Sequence, residues 1–210
     1  MKPAAVVLLH GILRSGLSMR PLESALKDAG SPVLNVSYPS RALAIPALAE
    51  WLTERIDRAA LQEPLGFVTH SMGGVVMRAY LMRSDAKETS RAVMIAPPNK
   101  GAVEADRSAQ SWLYRRVLGP AVLDLQTKVQ APDPPPCAFA VIAGGTGTAH
   151  GYSARLLGDN DGRVRVDETK LDGMSDFLLV PRRHTFIMRA PEVIEAALRF
   201  LESGQLKRSS

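Results

Sequence analysis

Short apolar segments alternate with amphipathic segments along almost the whole chain, and this alternation constrains the fold more than any other feature. Helical spacing of apolar side chains is clear at Leu48, Leu52 and Ile56. Apolar strands separated by helices indicate a parallel sheet covered on both faces. We therefore predict one α/β domain over residues 1–210, with a mostly parallel sheet of about six strands. The strand-like segments are residues 6–9, 33–38, 65–70, 92–97, 138–145 and 177–181.

One connection, residues 98–136, is longer than ordinary loops, and connections of this kind often form a lid or an active-site wall. It contains one amphipathic stretch, SWLYRRVLGPAVLDL, and it has room for one or two short helices. We predict a short lid or wall insertion within the domain. Its apolar residues would either line a pocket at the functional site or pack down on the sheet: Trp112, Leu113, Val117, Leu118, Val122 and Leu123.

Composition excludes several classes of protein. The net charge is +5, but the basic residues are scattered and aromatic residues make up 5%, which argues against nucleic-acid binding. No apolar run is long enough to cross a bilayer, so we expect no stable membrane insertion. The first apolar run lacks the features of a signal peptide, and we expect a cytoplasmic protein. The single cysteine, Cys137, cannot form an internal disulfide, and no Cys/His spacing indicates a metal.

The stretch VTHSMGG places Ser71 between a predicted strand and a predicted helix. A nucleophilic serine on a tight strand-to-helix turn requires small residues two positions before and after it, and Gly73 meets that requirement, while Gly74 helps the helix to pack closely. Thr69 stands where the usual motif has glycine, and a β-branched residue there adds slight strain. The alternative is an ordinary serine at the start of a helix.

Several motifs, in the same order along the chain, resemble those of the α/β-hydrolases, and above all lipases and esterases. The serine motif is HSMGG, and VVLLHG followed by ILRS is similar to the first oxyanion loop. The remaining segments resemble the loop after the next strand, the acid loop and the histidine loop: APPNKG, GDNDGRV and RRHTFIM. The resemblance covers nearly the whole chain and implies an α/β-hydrolase fold.

The resemblance also implies a base, and four histidines compete for that role. His184 follows the last predicted strand, where the family has its base, and it completes the chain order Ser, Asp, His. His10 corresponds to a structural histidine of the family, and His150 precedes the acid loop. His70 adjoins the serine, but neighbours on an extended chain point to opposite sides. We predict that His184 is the base.

The acid has three candidates, Asp159, Asp161 and Asp167. Asp161 precedes Gly162 and a short extended segment, as in the resembling family, so we predict Asp161, with Asp159 next. The alternative is that DNDG is only a turn, since Asn, Asp and Gly are turn residues.

Two backbone N–H groups should form the oxyanion hole. The N–H of Met72 follows the serine at a helix start, where partial positive charge favours an anion. The second donor should follow His10 and Gly11, which makes it Ile12, with Leu13 as the alternative.

The resemblance implies a serine hydrolase that cleaves carboxylic esters, including lipids, through an acyl-enzyme, with no metal and no cofactor. An acyltransferase or a thioesterase on the same scaffold remains an alternative, and so does a non-catalytic binding protein. A dinucleotide-binding enzyme fits poorly because HGILRSG lacks the G-x-G-x-x-G fingerprint. We expect a preference for medium-length acyl chains and no need for an oil–water interface.

Overall fold

The structure is a computed structural model, and it describes residues 1–83 and 85–207. Within these residues, six parallel strands form one sheet in the order β2-β1-β3-β4-β5-β6. This confirms the predicted α/β sheet. The strands are β1 (Ala5–Leu9), β2 (Val33–Val36), β3 (Leu65–His70), β4 (Thr89–Ile95), β5 (Ala138–Gly144) and β6 (Asp176–Val180).

Helices cover both faces of the sheet and follow the strands along the chain. The main ones begin with proline near the first turn or end at glycine or a left-handed residue, which are ordinary helix boundaries. They are α1 (Arg20–Asp28), α2 (Ile45–Ala59), α3 (Met72–Leu81), α4 (Val103–Gln110), α5 (Trp112–Leu118), α6 (Ala121–Asp124), α7 (Val166–Thr169) and α8 (Pro191–Ser203).

The central strands are buried on both faces, and alternate side chains of one strand enter two different cores. Val7 and Leu9 of β1 pack into the core beneath α2 and α3. Val6 and Leu8 pack into the core beneath α1 and α8. Because both faces of β1 are buried, the strand needs apolar side chains at successive positions, and this explains its continuous apolar sequence.

The segment 98–136 folds into three short helices, α4, α5 and α6, where one or two were expected. Gly119 separates α5 from α6 at a positive φ of 83°, and a Cβ there would lie 2.0 Å from the Arg41 carbonyl oxygen. The buried Arg78 of α3 holds both ends of the segment through the carbonyl oxygens of Asn99 and Asp133. Within the described residues, no helix is both long and apolar enough to cross a membrane.

Candidate active site

The predicted functional residues gather at one edge of the sheet, although they lie far apart in the sequence. Ile12 follows β1, Ser71 follows β3, and His184 follows β6. Asp161 lies in the loop between β5 and α7. Since all strands are parallel, their carboxyl ends meet at one edge, which is where sites of open α/β sheets form.

Ser71 occupies a strained turn between β3 and α3. Its backbone has φ 53° and ψ −127°, a conformation that residues other than glycine rarely adopt. Its N–H donates to the Ile95 carbonyl oxygen, and its own carbonyl oxygen accepts from the Gly74 N–H. A Cβ at Gly73 would lie 2.7 Å from the backbone oxygens of Leu9 and His10. The close approach of α3 to β1 therefore requires glycine at position 73.

A continuous chain of hydrogen bonds links three predicted residues. His184 Nε2 lies 3.0 Å from Ser71 Oγ, and His184 Nδ1 lies 2.6 Å from Asp161 Oδ2. Ser71 is 7% exposed and Asp161 is 1% exposed, so this chain is largely shielded from solvent. In this arrangement the carboxylate orients the imidazole, and the imidazole can accept the hydroxyl proton.

The three candidate acids occupy very different surroundings. Asp161 accepts from the N–H groups of Arg163 and Val164 through Oδ1, which leaves Oδ2 for His184. Asp159 instead accepts from the N–H groups of Thr146 and Gly147, and it holds the neighbouring loop. Asp167 of α7 is exposed and pairs with Lys170, which directly follows that helix. Only Asp161, of these three, contacts the imidazole.

Of the residues predicted to supply the oxyanion donors, Met72 follows Ser71 in the chain and Ile12 lines the same cavity as Ser71. Met72 begins α3, so its N–H belongs to a helix start with unpaired donors. Ile12 and Leu13 both line the cavity at Ser71, and Leu13 has a positive φ of 58°. The assignment of Met72 and the assignment of Ile12, with Leu13 as the alternative to Ile12, both stay predictions.

Two further histidines have roles that the sequence left open or only suggested. The His10 ring stacks on Tyr38 at 4.2 Å and its Nδ1 lies 2.8 Å from the Gly11 carbonyl oxygen. The His70 ring turns toward the site, with Nε2 3.1 Å from the His184 carbonyl oxygen. The His70 side chain thus supports the backbone of the loop that carries His184. Burial lowers the pKa of His10 and, together with nearby positive charge, holds the pKa of His70 well below its ordinary value.

A cavity of about 300 Å³ opens beside Ser71. Ala105, Leu118, Val122 and Leu125 of the 98–136 segment form one wall of it. Two of the six predicted wall residues thus line the cavity. The other four do not line the cavity, and they are exposed by 68%, 54%, 41% and 40%: Trp112, Leu113, Val117 and Leu123. Helices as short as α5 and α6 can turn only a few side chains inward.

Sequence reasoning missed two buried polar residues that shape this edge. Asn160 is fully buried and its amide binds the backbone of Ser153, Leu156, Gly158 and Gly162, which fixes the turn next to Asp161. Arg78 is 2% exposed, and burial lowers its pKa to about 10. An arginine within the apolar helix MGGVVMRAYL was the available signal for such a role. Within the described residues, no cluster of His, Cys, Asp and Glu is suited to a metal ion.

Comparison with known proteins agrees with the fold. The family model of the alpha/beta hydrolase family matches residues 6–201. The chain belongs to the alpha/beta hydrolase family. No curated protein matches the sequence.

Solved structures similar to this chain are hydrolases at low sequence identity. A Bacillus licheniformis lipase, BlEst2 in mature form, is 20% identical with a TM-score of 0.76, covering 95% of this chain and 92% of that chain. The type II thioesterase BorB of the borrelidin biosynthetic cluster is 20% identical with a TM-score of 0.61, at 95% and 92% coverage. The phospholipase PlaB from Legionella pneumophila is 16% identical with a TM-score of 0.66, at 98% and 60% coverage. At these identities the likenesses support the fold.

Proposed function

We propose that the protein is a serine hydrolase that cleaves carboxylic esters through an acyl-enzyme on Ser71. The observation that carries the proposal is the hydrogen-bond chain from Ser71 through His184 to Asp161 beside an apolar-walled cavity. A serine hydroxyl becomes a useful nucleophile when an adjacent base takes its proton.

The reaction has two halves. His184 Nε2 accepts the Ser71 Oγ proton while Oγ attacks the ester carbonyl carbon, and Asp161 stabilises the imidazolium that forms. The oxyanion is bound by the N–H groups of Met72 and Ile12. The alkoxide then leaves with the proton from His184, and water repeats the sequence to release the acid.

The segment 98–136 acts in this proposal as a fixed wall of the acyl pocket within a single domain, residues 1–210. Leu118, Val122 and Leu125 offer an aliphatic surface to the acyl chain, and each buried CH₂ contributes about 0.8 kcal/mol. Turnover should therefore rise from acetyl toward medium-length esters, both below and above the micellar concentration of the substrate.

Thioester hydrolysis and acyl transfer remain alternatives, because their first half-reaction is the same. A non-catalytic binding protein is the third alternative, and it would have no activated serine. Alcohol added to the reaction separates transfer from hydrolysis, because a transferase would convert the acyl group to a new ester.

Labelling with a fluorophosphonate probe, followed by peptide mapping, tests the proposal. We expect modification at Ser71, loss of labelling in His184→Ala, and unchanged labelling in the control His150→Ala, since His150 lies on an exposed loop. Absence of labelling in the folded wild-type protein would favour the non-catalytic alternative. Full labelling in His184→Ala would remove this histidine from the role of base.

A further inference from the structure

A second cavity adjoins the cavity at Ser71. Its volume is about 420 Å³. Leu13, Arg14 and Thr185 line both cavities, so the two spaces share one wall. The second cavity therefore lies directly beside the space where a substrate of Ser71 would bind.

The second cavity is positively charged. Arg14 and Arg189 line it, and no carboxylate side chain lines it within residues 1–83 and 85–207. Arg14 donates to the Thr185 carbonyl oxygen at 3.2 Å and lies over the Phe186 ring at 5.6 Å. Across the described part of the chain, neither arginine forms an ion pair with an acidic side chain. Two guanidinium groups without a carboxylate partner favour an anionic ligand.

The rest of the lining suits a ligand that is anionic at one end and aliphatic elsewhere. Ser15 and Thr185 contribute hydroxyl groups, while Leu17, Phe186 and Met188 contribute apolar surface. In the cavity at Ser71, the wall at Leu118 and Val122 has a different, aliphatic character. The two cavities thus differ in the chemistry that they accept.

We propose that the second cavity binds a phosphate group carried by the leaving group, so that the preferred substrates are esters or thioesters whose alcohol or thiol is phosphorylated. The inference rests on the proposed hydrolase function and adds its substrate class. A phosphate monoester presents three acceptor oxygens, which can satisfy two forked guanidinium groups together.

Two matched pairs of substrates test the proposal and distinguish two sources of the phosphate. Monobutyryl glycerol is compared with its 3-phosphate, and S-butyryl pantetheine is compared with its 4′-phosphate. Within each pair, only the phosphate differs. We expect kcat/KM to be about tenfold higher or more for the phosphorylated member of at least one pair, because a hydrogen bond to a charged group is worth that much. A preference in the first pair alone indicates a lipid headgroup, and in the second alone an acyl carrier.

Arginine variants link that preference to the second cavity. Arg189→Gln should lower the ratio of phosphorylated to neutral kcat/KM by about tenfold, mainly through KM, and Arg14→Gln with Arg189→Gln should bring it close to one. Arg58→Gln is the matched control, because exposed Arg58 pairs with Glu54 on α2 outside both cavities. A ratio near one in the wild type for both pairs, or an unchanged ratio in the double variant, would overturn the inference.

Binding of phosphorylated ligands to the Ser71→Ala variant tests the phosphate site independently of the proposed hydrolase function. Titration of that variant with glycerol 3-phosphate and with 4′-phosphopantetheine should give saturable binding that weakens with salt and is lost when Arg14 and Arg189 are also changed to Gln. Ester hydrolysis by the wild type without such binding would overturn the phosphate site alone. Arginine-dependent binding without probe labelling of wild-type Ser71 would overturn the hydrolase function and keep the site.

Discussion

The edge of the sheet at Ser71 and the segment 98–136 are neighbours, yet they are built in different ways. Around Ser71, side chains are buried and hydrogen-bonded, and the glycine at position 73 allows the backbone of α3 to approach the backbone at the end of β1. In the segment, α5 has no buried residue, and Trp112 is 68% exposed. From this comparison we expect the buried edge to govern the chemistry and the segment to adjust which acyl chain fits.

Loss of the nucleophile should have the largest effect. We expect Ser71→Ala to fold normally and to lose about 10⁶ in kcat on 4-nitrophenyl butyrate, because no other group takes over the attack. Ser108→Ala is the control, since Ser108 lines the same cavity from the segment, and its kcat should stay within about twofold. If the Ser71→Ala variant kept a substantial fraction of the wild-type rate, Ser71 would not be the nucleophile, and the chemistry could not be assigned to the buried edge.

The choice of acid gives the next largest effect. Asp161→Asn should reduce kcat by roughly 10⁴, because an amide favours the wrong tautomer of His184. Asp159→Asn should be mild, since Asp159 binds the loop at Thr146 rather than the imidazole. Comparison of kcat for the two variants by steady-state kinetics shows which aspartate acts with the imidazole. The opposite ranking would transfer the role to Asp159.

Changes in the segment should alter selectivity by about tenfold rather than abolish turnover. Leu118→Ala removes aliphatic wall, so the ratio of kcat/KM for octanoyl over acetyl 4-nitrophenyl esters should fall roughly tenfold. Trp112→Ala is the matched control on the same helix, and exposure of its side chain predicts little change. If the two variants shift the ratio equally, the wall lies elsewhere.

The smallest predicted effect concerns pH and stability at the buried edge. Burial lowers the pKa of His70, so the folded protein keeps this imidazole neutral while the unfolded chain binds a proton below about 6.5. The unfolded state then holds more protons, and the free energy of unfolding falls as the pH drops below 6.5.

The slope from His70 reaches at most about 1.4 kcal/mol per pH unit. Urea unfolding between about pH 7.5 and 5 measures it. His70→Asn should reduce the slope, whereas His150→Asn, at an exposed loop position, should leave it as in the wild type. Equal slopes in wild type and His70→Asn would contradict the buried neutral imidazole.

The strands and the order of elements followed from the sequence, but their boundaries did not. β2 ends at Val36, two residues before the expected end, and Tyr38 beyond it packs on the His10 ring and donates to the His10 carbonyl oxygen. β4 begins at Thr89, earlier than expected, because pairing with β3 at Leu65 continues past the apolar stretch. Hydrogen bonding between strands, rather than hydrophobicity, decides where a strand ends.

The sequence by itself determined the α/β class, the strand-to-helix turn at Ser71 and the order of Ser71, Asp161 and His184, because periodicity and short motifs are local properties of a chain. Only the tertiary structure decided that Asp161 rather than Asp159 meets the imidazole, that His70 supports the His184 loop, and that Leu118 faces the cavity while Trp112 faces away. Those outcomes depend on contacts between residues far apart in sequence, which local patterns do not encode.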